Sequence, residues 1–358
     1  MPVAVSSTKG CGTYVTDIRY REDATDWNKP EDLPFSNIRS FREQEPGNQR
    51  ETHRFPVFPF CPLAAVFEVE QVTTVFMKKQ YQVVTAEEAV KVIKSGDHVH
   101  ISSVSNVPQC LVKALCDRGR AGELKNVYIH HLHTEGAAPY VNPEFEGIFQ
   151  HNAFFVGANV RESVQKGLAD YIPVFLGETS KLYRERYIKC NVAMIQVCPP
   201  DKFGYVSLGS SVDATLAAME SAEFVIAVVN KHVPRTFGDA LVHISRINVF
   251  VEDDTPLLTV DMPEPSEVEK TIGRYCAELI EDGACLQMGI GSIPNAILSC
   301  LHNHKDIGIH TEMFSDGILP LVKEGVITGN NKKLDKGKIV STFVMGSQKI
   351  YNFIDGNH

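Results

Sequence analysis

The chain has 358 residues, 43% of them apolar and 22% charged, enough for two ordinary globular domains with sizeable cores. No run of about 20 apolar residues occurs, which argues against a membrane-spanning helix. The formal charge is −9 and no basic patch or stripe is visible, so neither nucleic acid nor an anionic membrane is an expected partner. A phosphorylated small ligand stays open, because backbone amides at a helix N-terminus hold phosphate without net positive charge.

The first 76 residues differ from the rest. They hold turn-prone and charged clusters (Asn28 to Asp32, Glu43 to Asn48) and closely spaced prolines at Pro56, Pro59 and Pro62. No helical or strand period persists there, so 1–76 reads as a disordered extension or a segment mis-joined upstream of the folded part. Residues 1–30 lack an apolar core and carry Asp17, Glu22, Asp23 and Asp26, which argues against a secretory signal and a mitochondrial transit peptide. The nine cysteines, from Cys11 to Cys300, form no C-x-x-C pair and fit buried thiols of a reducing compartment. A cytoplasmic protein is expected, with mitochondria left open.

Periodic structure begins after Met77. Thr85-Ala-Glu-Glu88 is a capping box, and Ala89, Val90, Val92 and Ile93 give the helix it opens an apolar face. His98 to Ile101 reads as a strand, and a turn through Pro108 leads to a helix near Leu111 to Cys116. Strands recur at Val127 to Leu132, Val192 to Val197, Phe224 to Val229 and Ile247 to Val251. Helical patterns at Val160 to Gln165 and Asp213 to Glu220 separate them. This alternation predicts an α/β fold with a largely parallel, helix-covered sheet.

A break at Pro263-Glu-Pro265 precedes a second start. Ser266-Glu-Val-Glu269 is another capping box, opening a helix to about Asp282 that Gly283 stops. A strand (Ala284 to Met288), the turn Gly289-Ile-Gly291, a helix to about Leu301 and a strand from Ile307 to His310 follow. The expected organisation is therefore a first α/β domain over 77–260 and the start of a second, unfinished one over 261–358.

Two segments stand out chemically. Glycines in Gly289-Ile-Gly-Ser-Ile-Pro294 let a backbone approach a ligand at a helix N-terminus, although Pro294 replaces the third glycine of a dinucleotide fingerprint. A plain strand–helix turn is the equal alternative. In Ile309-His-Thr-Glu-Met-Phe-Ser-Asp-Gly317, polar side chains crowd the end of an apolar strand, where open α/β sheets place their ligand crevice. Glu312 there can be a nucleophile, an acid or base, or a cap.

Other polar clusters favour bland readings. His131, His133 and Glu135 would share a strand face, but no second ligand cluster accompanies them, so hydrogen-bonded histidines are expected and no metal. Cys198 precedes a Pro-Pro turn without a histidine near in sequence, which fits a buried thiol. Arg235 can meet a substrate carboxylate or Asp239.

From about Met77 to His358 the chain resembles the acetyl-CoA hydrolase/transferase family, particularly its butyryl-CoA:acetate and 4-hydroxybutyrate CoA-transferase branch. The resemblance is carried by His151 to Asn159, Asp170 to Phe175, Pro199 to Gly209, Val233 to Asp239, Gly289 to Asn295 and His310 to Gly317. It implies two tandem open α/β domains of the CoA-transferase type, the second incomplete because the family's later G-x-G-G-Q segment is missing. The family's catalytic glutamate falls on Glu312, with Gly289, Gly291 and Ser292 placed near CoA. It implies no metal or prosthetic group, CoA entering as a thioester substrate.

The implied activity is CoA transfer from an acyl-CoA to a short-chain carboxylic acid, acetate first among them, through a glutamyl–CoA thioester. An acyl-CoA hydrolase using the same glutamate and an inactive, truncated CoA-binding protein are the alternatives. A homodimer is an expectation that no residue here carries.

Overall fold

The computed structural model describes residues 3–5, 82–261, 264–289 and 291–357. Residues 21–79 lie wholly outside the described residues. Of the expected extension 1–76, only Val3–Val5 is described, as a strand; the remainder of that expectation lies outside the described residues.

The apolar, β-branched runs form the strands of a seven-stranded sheet. They are β2 (His98–Ile101), β3 (Val127–His131), β4 (Phe149–Ala153), β5 (Ala169–Tyr171), β6 (Val192–Val197), β8 (Phe224–Val229) and β10 (Val249–Glu252), with Val3–Val5 numbered β1. Their order is β10-β8-β6-β2-β3-β4-β5, and every pairing is parallel. A small antiparallel pair, β7 (Tyr205–Ser207) with β9 (Leu241–His243), folds over it. β6 is buried at all six positions, as a strand covered on both faces must be. Because β2 comes first yet lies between β3 and β6, the chain winds outward both ways. The crevice of such a sheet lies beyond the carboxyl ends of the strands at that switch. Buried Ser102, Ser103, Ser105 and Asn106 gather there. Asn106 Nδ2 donates to the carbonyls of Gln196 and Leu208, both at 2.8 Å, while its Oδ1 is buried without a hydrogen-bond partner.

Both capping boxes form. Thr85 opens the helix Ala86–Ala89, and Ser266 opens Glu267–Ala277, each with its reciprocal glutamate. Behind the second box lies a four-stranded parallel sheet in the order β1-β13-β12-β11. Its strands are β11 (Cys285–Leu286), β12 (Gly308–Phe314) and β13 (Ile339–Val344), with β1 pairing to β13. Helix Ser292–Leu298 packs on Glu267–Ala277 closely enough that a Cβ on Gly273 would come within 2.7 Å of the Ala296 carbonyl group.

One apolar cluster joins the two sheets, running from Ala193, Ile195 and Val197 through Ile309, Met313 and Phe343 to Ile354. Among the described residues no helix is long and apolar enough to cross a membrane.

The expectation that Glu312 ends its strand is corrected: β12 continues to Phe314 and Glu312 lies inside it. Burial alternates along the strand, with Ile309, Thr311 and Met313 buried while His310 is half-buried and Glu312 exposed. Thr311 belongs to the buried face because its hydroxyl is satisfied, receiving the Met288 amide at 2.8 Å.

Candidate active site

The strands on either side of β12 place the side chains around Glu312. β11 pairs with β12 through Cys285–Gly308 and Leu286–Ile309, an offset of 23 residues. Past that pair the chain stays close to β12: the Met288 amide reaches the Thr311 hydroxyl at 2.8 Å and the Gln287 side chain reaches the Glu312 amide at 3.3 Å, just before the Gly289–Gly291 turn. Gly291 has φ +120°, a conformation that L side chains rarely adopt, and stands as the N-cap of Ser292–Leu298. Ser292 is engaged: its hydroxyl donates to the Glu269 carboxylate, the same carboxylate that accepts the Ser266 amide at 2.7 Å.

The backbone of Glu312 is held by side chains on both flanks. Its amide donates to Gln287 Oε1 at 3.3 Å. Its carbonyl accepts from Ser341 Oγ and Thr342 Oγ1, each at 2.8 Å. Pairing between β12 and β13 is made by His310, Thr311, Met313 and Phe314, the residues before and after Glu312. Its carboxylate, by contrast, has no hydrogen-bond partner among the described residues. Burial of its surroundings raises the Glu312 pKa above the ordinary glutamate value. Glu312 thus caps no helix among the described residues and keeps its carboxylate free for chemistry.

The second acid of the same segment shows the contrast. Asp316 accepts the Ser347 amide at 2.7 Å and the Ser347 hydroxyl at 2.5 Å, tying the turn after β13 to the turn after β12. It is a structural clasp. His310 shares the open face with Glu312, and burial together with the Lys332 ammonium lowers its pKa. Lys332 itself is buried, donating to the carbonyls of Ile309 at 3.0 Å and Lys338 at 2.6 Å beneath the strand.

The remaining candidates take structural roles. Arg235 donates to the carbonyls of Pro199 at 2.5 Å and Tyr205 at 3.2 Å, closing the loop that follows β6. Cys198 is buried, which raises its pKa. His131 Nε2 meets the Tyr140 hydroxyl at 2.7 Å, and His133 Nε2 meets Glu135 at 2.6 Å.

Gln287, Ser341 and Thr342 did not emerge from the sequence. The available signal was a pair of hydroxyl residues in the middle of the apolar run Ile339 to Val344, where a sheet interior must give each a partner.

Comparison with known proteins identifies the family and the fold. Residues 69–260 match the acetyl-CoA hydrolase/transferase N-terminal domain. The chain is 46% identical to the 4-hydroxybutyrate coenzyme A transferase of Clostridium kluyveri, over 77% of this chain and 64% of that one. It is 44% identical to the succinyl-CoA:acetate/propanoyl-CoA:succinate CoA transferase of Fasciola hepatica, over 76% of this chain and 56% of that one. The crystal structure of 4-hydroxybutyrate CoA-transferase from Porphyromonas gingivalis superposes with a TM-score of 0.68 at 34% identity, covering 79% of this chain and 67% of that chain. The chain thus spans less than two thirds of the length of the two curated relatives.

Proposed function

The chain belongs to the acetyl-CoA hydrolase/transferase family, and we propose that it moves CoA between an acyl-CoA and a short-chain carboxylic acid with Glu312 as nucleophile. One observation supports this most: Glu312 alone in its segment presents a carboxylate free of partners, while Asp316 beside it is fully engaged.

A Glu312 carboxylate oxygen attacks the thioester carbonyl, forming an acyl–glutamyl anhydride and releasing CoA thiolate. The thiolate attacks the glutamyl carbonyl, breaking the anhydride into a glutamyl–CoA thioester and the first free acid. An incoming carboxylate attacks that thioester, and the released thiolate then takes the new acyl group, restoring Glu312. Electron pairs move only between oxygen, sulfur and carbonyl carbon, so on this reading no resident cofactor is needed. Carboxylates are weak nucleophiles, and the rate rests on alignment and on stabilising the oxyanion. Gly289 and Gly291 leave two positions of the turn after β11 without side chains, which fits a CoA chain passing there. Binding of the nucleotide end of CoA would supply the energy for that alignment.

Acceptor dependence tests the reading. Purified protein with butyryl-CoA is expected to make acetyl-CoA only when acetate is present. Equal release of free CoA with and without acetate would make the chain a hydrolase instead. No consumption of butyryl-CoA, acetyl-CoA or succinyl-CoA by a folded sample would overturn both.

A further inference from the structure

We infer that Thr342 and Gln287 are positioning residues that fix the peptide of Glu312 from opposite strands, and that the rate of acyl transfer to Glu312 depends on them. The inference rests on the reading of Glu312 as the nucleophile.

Three side chains reach the Glu312 backbone, one at its amide and two at its carbonyl, and their commitments differ. Ser341 Oγ is 2.8 Å from the Glu312 carbonyl but also 2.7 Å from the Phe343 carbonyl, and its single proton serves one of them at a time. Thr342 Oγ1 has the Glu312 carbonyl as its acceptor at 2.8 Å. A β-branched side chain has few χ1 choices, so its hydroxyl is held where the backbone puts it. That backbone is itself clamped. The Thr342 carbonyl accepts the Val212 amide at 3.0 Å and the Asp213 amide at 3.4 Å, and the Val344 amide donates to Ser210 at 2.8 Å. Ser211 and Phe343 form an antiparallel bridge between the same two segments.

The loop supplying these amides is rigid for a separate reason. The buried Asp213 carboxylate accepts from Ser211 Oγ at 2.5 Å and from the Thr215 amide at 3.0 Å. Thr342 therefore links a fixed loop of the larger sheet to the backbone of the nucleophile. On the opposite side Gln287, exposed beyond the end of β11, accepts the Glu312 amide at 3.3 Å and donates Nε2 to the Met288 carbonyl at 2.8 Å. Together they determine where the Glu312 Cα sits, and with it the reach of a carboxylate whose own oxygens have no partner to steer them.

The test is the single-turnover rate of CoA attachment to Glu312 from acetyl-CoA, measured for the wild-type chain, Thr342→Val, Thr342→Ser and Gln287→Met. Val keeps the shape of Thr and removes its donor. The inference predicts that Thr342→Val and Gln287→Met slow attachment by roughly 10- to 100-fold, since misplacement of about 1 Å can cost that much. The acetyl-CoA concentration at half-maximal rate should stay within about twofold in both, as expected for lost alignment and not lost binding. Thr342→Ser should recover most of the rate. Gln287 is exposed, so its variant reports even where Thr342→Val does not fold. Attachment at the wild-type rate in folded Gln287→Met or Thr342→Val would overturn the inference alone, as would Thr342→Ser no better than Thr342→Val. A wild-type chain that never carries CoA on Glu312 would remove the reading beneath it as well.

Discussion

Ser292 donates its hydroxyl hydrogen to Glu269, joining the turn after β11 to the cap of the helix Glu267–Ala277. Glu269 thereby ties the two helix starts together, its other oxygen accepting the Ser266 amide. Ser292→Ala is expected to lower the melting temperature by a few degrees through loosening of this joint. On the proposed function it also raises the half-saturating acyl-CoA concentration, because the Gly289–Ser292 turn loses its anchor. A variant that melts as wild type would show that the joint contributes nothing.

The approach of Gly273 to Ala296 carries a second prediction. A methyl group at 273 would press on backbone, not on a flexible side-chain end. Gly273→Ala should therefore cost about 1–3 kcal/mol, the usual price of overpacking. At Gly289 the first atom met is Pro294 Cγ at 3.3 Å, which can yield, so Gly289→Ala should fold nearly as well as wild type. Urea denaturation of the two variants side by side distinguishes them, and equal midpoints would contradict the packing described.

Much of the scaffold was legible because its signals are local. The capping boxes at Thr85 and Ser266 and the apolar runs of β6 and β8 have the expected bounds. β12 was read short because Thr311 and Glu312 look like loop residues, when one is a buried threonine satisfied by Met288 and the other faces the open side. β4 and β13 went unassigned: His151 and Asn152 interrupt the first, Ser341 and Thr342 the second, and His151, Ser341 and Thr342 meet carbonyls of neighbouring strands that sequence does not reveal. Glu312 stood out in its polar segment, but its expected role came from the family pattern, since a glutamate there can be a nucleophile, an acid or base, or a cap. Its clamp was not found, because Gln287 and Thr342 are 25 and 30 residues away along the chain and meet it only through the sheet.

The buried histidines of the larger sheet predict acid sensitivity. Burial lowers His100 to about 3 and His151 to about 4, and holds His130 and His131 well below the ordinary value of 6.5. His98 Nδ1 lies 2.9 Å from His130 Nε2, and the rings of His131 and His151 stack with centroids 4.2 Å apart. Below pH 6.5 the unfolded chain takes up protons that the folded chain refuses. Stability is then independent of these groups above that pH and falls as pH drops toward 4, by about 1.4 kcal/mol per pH unit for each such histidine. Urea unfolding at pH 7.5, 6 and 5 measures the slope, and a flat profile would contradict the burial.

The proposed function also predicts a pH signature. Burial raises the Glu312 pKa above 4.5, so the ionised form that would attack on that reading is lost as pH falls through the higher value. The acid limb of single-turnover attachment should lie above 4.5, measured by pH jump on samples shown still to be folded. A limb at or below 4.5 would mean that a different group controls the rate.

Incubating the purified chain with acetyl-CoA, without acceptor, and mapping CoA onto its peptides by mass tests the central claim most directly. Glu312 as nucleophile predicts CoA on the peptide that contains it, released by hydroxylamine and absent from Glu312→Gln. A folded wild-type chain without that adduct, or one whose adduct survives Glu312→Gln, would contradict it.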